Sequence, residues 1–223
     1  MTTYDPFSSP HVGAALYFTD QGQYLFKSKE KGGCTSKTLR EPEVCAAFTR
    51  KGFDSGWLDS GILRTGNNPK GKWFVYLSTP KNVVIDLTGN EYLYIPTPMM
   101  LMIGADKSHF LFAMNIFFVD QFKPDLPVFV APFPNVRHDG EICWGNNDQP
   151  KVEASKARDT LKQFFASPFN GDLANGKSKK YELDVRKMLE ELDFGGDYPV
   201  DDLVHTQMNV NQLVKRLIGR ELE

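Results

Sequence analysis

Apolar and polar positions alternate differently in three stretches of the chain. Near the N-terminus, Val12, Ala14, Leu16 and Phe18 share one face, and Tyr24 and Phe26 follow the turn Asp20-Gln21-Gly22. A period of two on both sides of a turn predicts an N-terminal hairpin. Lys29 to Thr38, KEKGGCTSKT, is polar and glycine-containing, which predicts a loop. Val44, Ala47 and Phe48 then fall on one side of a short helix from Glu41 to Lys51, with Pro42 suited to its first turn. Gly66 to Lys72, GNNPKGK, reads as a second loop.

From Trp73 the runs WFVYLS, NVVIDL, EYLYIP, MMLMIG, HFLFAM and LPVFVAP are short, rich in β-branched and aromatic residues, and separated by Pro, Gly, Asn and Asp. They predict a meander of four or more antiparallel strands over roughly residues 72 to 132. Strand patterns then cease. Helical spacing takes over in Ala157, Leu161, Phe164, Phe165, again in Val185, Met188, Leu189, Leu192, and in Val210, Leu213, Val214, Leu217, with Asn209 placed to cap the last. SPFNGDLANGKSKK and FGGDYPVDD join these helices as loops. Strands followed by helices predict an α+β protein. Residues 1–68 are expected as an extension of hairpin and helix packed on a core of residues 69–223.

Composition narrows the function. The chain's 223 residues suffice for one domain with an extension, and 41% hydrophobic residues can supply a core. A formal net charge of −2 disfavours a general nucleic-acid binder. The longest apolar run, Met99 to Ile103, is too short to cross a bilayer, and MTTYDPFSSP lacks the layout of a signal peptide. Three scattered cysteines without a CxxC pair point to a reducing compartment, hence the cytoplasm, rather than to disulfides or structural zinc. His11, His109, His138 and His205 are too dispersed to suggest a metal site. No glycine-rich phosphate loop is present, since Gly32-Gly33 and Gly195-Gly196 lack the surrounding motif. The Met99–Met102 run reads as core strand rather than ligand pocket. Lys177-Ser178-Lys179-Lys180 reads as a solvated loop able to touch an acidic partner.

The segment FPNVRHDGEIC, residues 133–143, carries the candidate chemistry. Cys143 directly follows a turn and precedes Trp144-Gly145-Asn146-Asn147. A free thiol, with a pKa of ~8.5, is already a competent nucleophile. The bland alternative is a small buried hydrophobe, the reading given to Cys34 and Cys45. Asn135 reads either as a turn residue or as an amide donor to a reacting oxyanion. His138 and Asp139 also suit plain turn chemistry.

This segment resembles the active site of ubiquitin-conjugating enzymes, where a His-Pro-Asn tripeptide precedes a glycine and an Ile-Cys or Val-Cys pair. Phe133-Pro134-Asn135 takes the tripeptide's place, with Gly140 five residues after Asn135 and Ile142-Cys143 seven and eight after. Over roughly residues 70–175 the texture is more closely similar to the bacterial branch known as PRTRC system protein B, through YLYIPTPMML, APFPNV, GEICWG and FFASPFNGDL. The resemblance implies a ubiquitin-conjugating-enzyme-like fold, with the meander leading into an active-site loop and C-terminal helices. It implies that Cys143 carries a ubiquitin-like protein as a thioester. Asn135 would brace the loop or steady the oxyanion, and Asp172 would orient the incoming amine, with Asn170 and Ser167 competing for that role. His138 would partly replace the tripeptide histidine lost at Phe133, and Phe133→His would be tolerated. The implied partners are a ubiquitin-like protein, a ThiF-like activating enzyme and a JAB-type isopeptidase, and no cofactor is implied, since the activating enzyme consumes the ATP. Two rivals stand beside this reading: an inert adaptor of the same fold, and an unrelated ligand-binding α+β domain.

Overall fold

Prolines decide how the strands are shared between sheets. The structure, a computed structural model, describes residues 13–19, 22–30, 33–44, 58, 60–68, 70–87, 92–194 and 196–219. The chain divides into two compact units, residues 1–56 and 57–223.

In the first unit β1 (Ala14–Phe18), β2 (Tyr24–Glu30) and β3 (Gly33–Leu39) form an antiparallel sheet in that order. Within KEKGGCTSKT, expected as a loop, Lys29 and Glu30 therefore end β2 and Gly33 to Thr38 belong to β3, with Lys29 opposite Cys34 and Glu30 opposite Gly33. Its polarity has a physical reason: β3 is exposed from Gly33 to Thr38, so no apolar alternation is required. Cys34 is exposed rather than buried. Residues 41–44 form a helical turn in which the Glu43 carboxylate accepts from the Arg40 amide at 2.9 Å. Val12, the rest of the Glu41–Lys51 helix and Cys45 lie outside the described residues.

The second unit contains β4 (Ile62–Asn68), β5 (Gly71–Ser78), β6 (Asn82–Leu87), β7 (Tyr92–Pro96), β8 (Met99–Ala105), β9 (Ser108–Met114), β10 (Pro127–Val130), α1 (Ala157–Phe165), β11 (Pro168–Phe169), α2 (Arg186–Glu191), β12 (His205–Asn209) and α3 (Val210–Ile218). GNNPKGK is again a hairpin rather than an open loop. Asn68 Oδ1 closes it by accepting from the amides of Lys70 at 2.9 Å and Gly71 at 3.2 Å.

All six predicted strands from Trp73 to Ala131 form, but not as one meander. The large sheet runs β12-β10-β9-β8-β5-β4, and β6 and β7 leave it to make a second sheet, β11-β6-β7. Pro80 follows β5, and Pro96 and Pro98 flank Thr97 before β8. None of these prolines has an amide to continue a ladder. Buried Thr97 ties the neck of the departing hairpin: its amide donates to the Lys81 carbonyl at 2.8 Å and its hydroxyl to the same oxygen at 3.0 Å. β5 then pairs with β8, Phe74 opposite Gly104.

Both faces of the large sheet are covered, which is why β8 is a continuous apolar run with every residue buried. Trp73, Val75, Leu77, Met99, Leu101 and Ile103 pack with Val210, Leu213, Val214 and Ile218 of α3. The alternate residues Phe74, Tyr76, Met100 and Met102 pack with β6, β7 and α1 on the other side. Asn209 caps α3 as predicted, its side chain accepting from the Gln212 amide at 2.9 Å while Gln212 Oε1 accepts from the Asn209 amide at 3.0 Å. The protein is thus α+β with mostly antiparallel sheets. Among the described residues no helix is long and apolar enough to cross a membrane.

Candidate active site

Residues 133–143 fold into a narrow hairpin beside β9. The Arg137 amide donates to Glu141 O at 2.8 Å, the Gly140 amide to Arg137 O at 2.9 Å, and the Cys143 amide to Asn135 O at 2.7 Å. The returning limb extends the large sheet, with Ile142 N donating to His109 O and Leu111 N to Gly140 O, both at 2.8 Å. Gly140 is required twice over: its φ is 93°, and a Cβ there would lie 2.1 Å from the Phe112 ring. Asn135 also sits left-handed, at φ 59°, a conformation asparagine tolerates better than most residues.

Cys143 is half-buried at the end of this hairpin. Two asparagines flank it and reach the same junction after α1. Asn135 Nδ2 donates to the Pro168 carbonyl at 2.7 Å, and Asn147 Nδ2 donates to the Ser167 hydroxyl at 3.4 Å. Ser167 in turn donates to Gln163 O at 2.9 Å, within α1. The loop bearing the thiol is therefore held from both sides by one short segment.

Phe133 is fully buried. It packs edge-on to Phe164 and Phe165, with ring centroids at 6.0 and 5.4 Å, and lies tilted 6.2 Å from Phe169. An aromatic cluster thus occupies the position where the resembled tripeptide has a histidine.

The loop's backbone is secured from below by a residue read as solvated. Lys177 is fully buried, as is Ser178 beside it. Its ammonium nitrogen donates to Phe133 O at 2.7 Å and to Val136 O. Both carbonyls face inward, and a buried carbonyl without a donor is costly, so a long side chain reaching from outside the hairpin satisfies them. Burial pushes the Lys177 amine down to about 7.

A model of prokaryotic E2 family D matches residues 37–206. The chain belongs to that family. No curated protein and no solved structure matches it.

Within this E2 family member the four residues singled out from sequence take distinct places. Cys143 and Asn135 are brought together through the 2.7 Å backbone bond. The Asn135 amide, however, points to Pro168 O and braces the loop. Asp172 is exposed on the loop that follows β11, where its Oδ2 accepts from Asn170 Nδ2 at 3.0 Å and its amide donates to Asn170 Oδ1 at 3.1 Å. Asn135 anchors β11, the strand that leads into that loop, through Pro168 O. His138 is exposed in the Arg137–Gly140 turn, its ring against Gly176, where an added Cβ would come within 3.1 Å.

The sequence reading weighed His109 only as a metal ligand and missed its burial next to the site hairpin. It is fully buried, lies edge-on to Trp144 at 5.9 Å, and has neither ring nitrogen hydrogen-bonded among the described residues. Burial pushes it down to about 4, so the ring is neutral at pH 7. Nothing in HFLFAM distinguishes it from an outward-facing strand histidine. Among the described residues no three His, Cys, Asp or Glu side chains come together as a metal site.

Proposed function

We propose that the protein carries a ubiquitin-like protein on Cys143 as a thioester, as a relative of PRTRC system protein B. The observation that supports this reading most is the half-buried thiol at family spacing, on a hairpin pinned to Asn135 and the Ser167-Pro168 junction. A carrier thiol must be reachable by two large partners in turn, yet held still enough to be attacked and to attack. In the first step the Cys143 sulfur attacks the thioester carbonyl presented by a ThiF-like activating enzyme. A new C–S bond forms, the old one breaks, and the activating enzyme's cysteine leaves with a proton. In the second step an amine attacks the same carbon, the bond to Cys143 breaks, and the proton lost by nitrogen returns the thiol. ATP is consumed by the activating enzyme alone, and a JAB-type isopeptidase would reverse the final bond.

A second reading has its own support. The amide of Asn135 is held on Pro168 O, and buried Phe133 has no donor to offer in place of the tripeptide histidine. That arrangement suits an inert adaptor that keeps the fold and binds the same partners.

Intact mass after incubation with ATP, the activating enzyme and the ubiquitin-like protein separates the two. The carrier gives a reducible adduct that disappears in Cys143→Ser and persists in Cys34→Ser/Cys45→Ser. Partner binding without an adduct establishes the adaptor.

A further inference from the structure

The β8–β9 turn departs from the residue choice its geometry favours. Ala105 pairs with Ser108, and the two residues between them, Asp106 and Lys107, have φ of 48° and 68°. In two-residue turns of this left-handed kind the second position is ordinarily glycine, because a side chain there is strained. A lysine occupies it instead. The turn is held in place, since Lys107 O accepts from Gln149 Nε2. The β5–β8 register then carries the start of β5 to the same end of the sheet, where Lys70 and Lys72 join.

The result is an open cleft of about 460 Å³ whose lining includes Lys70, Lys72, Lys107 and Lys151, with Pro150 beside Lys151 and, among the described residues, Glu153 as the only lining carboxylate. Lys70 is paired with Asp106 at 3.4 Å. Among the described residues Lys72, Lys107 and Lys151 have no ion-pair partner. The whole chain is net −2, so this concentration of positive charge is local and does not reflect a basic protein.

We propose that this cleft docks an extended acidic segment of a partner protein. The chemistry favours such a segment over a small phosphate ligand. Phosphate sites are built from arginine forks or convergent backbone amides, whereas here the donors are ammonium groups on flexible stems from three separate segments. Each exposed ion pair is weak alone, so a ligand gains by presenting several carboxylates in succession. The site contains none of the residues placed around Cys143. It is nevertheless close: Gln149 lies six residues after Cys143, a span of at most about 20 Å in extended chain. A partner anchored here would be held beside the thiol.

The test uses the full chain and a dye-labelled oligoglutamate peptide, read by fluorescence anisotropy. All four lysines are exposed, so charge reversal leaves the core intact. Binding is expected to weaken with added salt and to fall by about tenfold or more in Lys72→Glu/Lys107→Glu, with like charges now facing the peptide. The equally charged Lys123→Glu/Lys187→Glu variant and Cys143→Ser should bind as wild type. Unchanged binding by Lys72→Glu/Lys107→Glu overturns the proposal. So does displacement of the peptide by inorganic tripolyphosphate at a lower concentration than by unlabelled oligoglutamate. Because Cys143→Ser keeps the cleft, failure of thioester formation and failure of acidic docking are read separately.

Discussion

Asn135 and Phe133 show how far single residues have been adapted to this site. The Asn135 amide makes one hydrogen bond that joins the thiol hairpin to the Ser167-Pro168 junction. Such a bond is worth about 1 kcal/mol net. Under the thioester role proposed above, Asn135→Ala should slow charging and discharge of Cys143 together, by roughly fivefold each at that energy, as single-turnover assays of the two steps would measure. A loss confined to discharge would mean that the amide leaves Pro168 to serve the oxyanion. Phe133→His, which family resemblance alone would tolerate, is expected to fail on stability. It would place an imidazole without a partner inside the Phe164, Phe165 and Phe169 cluster. The cost should be about 2–4 kcal/mol, a fall in Tm of about 4–16 °C. An unchanged melt would show that the ring finds a hydrogen bond there.

At the scale of elements, the hairpin of residues 135–143 depends on one glycine more than on its neighbour of similar conformation. Gly140 and Gly145 both have positive φ, 93° and 58°, but only Gly140 has an aromatic ring where its Cβ would go. Gly145→Ala should cost about 1 kcal/mol, from backbone strain alone. Gly140→Ala should cost at least about 2 kcal/mol more, because Phe112 must move as well. Denaturant unfolding of the pair measures the difference, and equal midpoints would mean that the sheet yields to the extra carbon without penalty.

Elements also show why sequence reading succeeded in some places and failed in others. WFVYLS and MMLMIG were readable as strands because both faces are buried, and Asn209 was readable as a cap because its signal is local. KEKGGCTSKT was missed because an exposed strand needs no apolar residues. HTQMN in β12 and the two-residue β11 are strands only because β10 and β6 supply their partners. The spacing from Asn135 to Cys143 was visible in full. Lys177 was not, since its burial comes from carbonyls 41 and 44 residues earlier in the chain.

At the scale of the whole molecule, two buried titratable groups shape stability against pH. His109 titrates at about 4 when folded against 6.5 when free, and Lys177 at about 7 against 10.5. Both are depressed, so within each interval the unfolded chain binds more protons and stability rises with pH. His109 contributes stability that is present above pH 6.5 and lost as pH falls through about 4. Lys177 contributes stability that is complete above pH 10.5 and lost as pH falls through about 7. Each slope is at most about 1.4 kcal/mol per pH unit. Unfolding free energies followed from pH 6 to 10 should rise for the wild type and rise less for Lys177→Met. Parallel curves would show that Lys177 stays charged beneath the loop, its two carbonyl bonds offsetting the loss of water.

The dependence of the thiol loop on Lys177 and Pro168 also has a consequence in time. Ribosomes add about 5–20 residues per second, so Cys143 is made roughly 2–7 s before the lysine that braces its loop. Throughout that interval the nascent chain has a cysteine but no supported hairpin to present it. The hairpin's bracing therefore arrives late in synthesis, with the segment that completes the floor of the site.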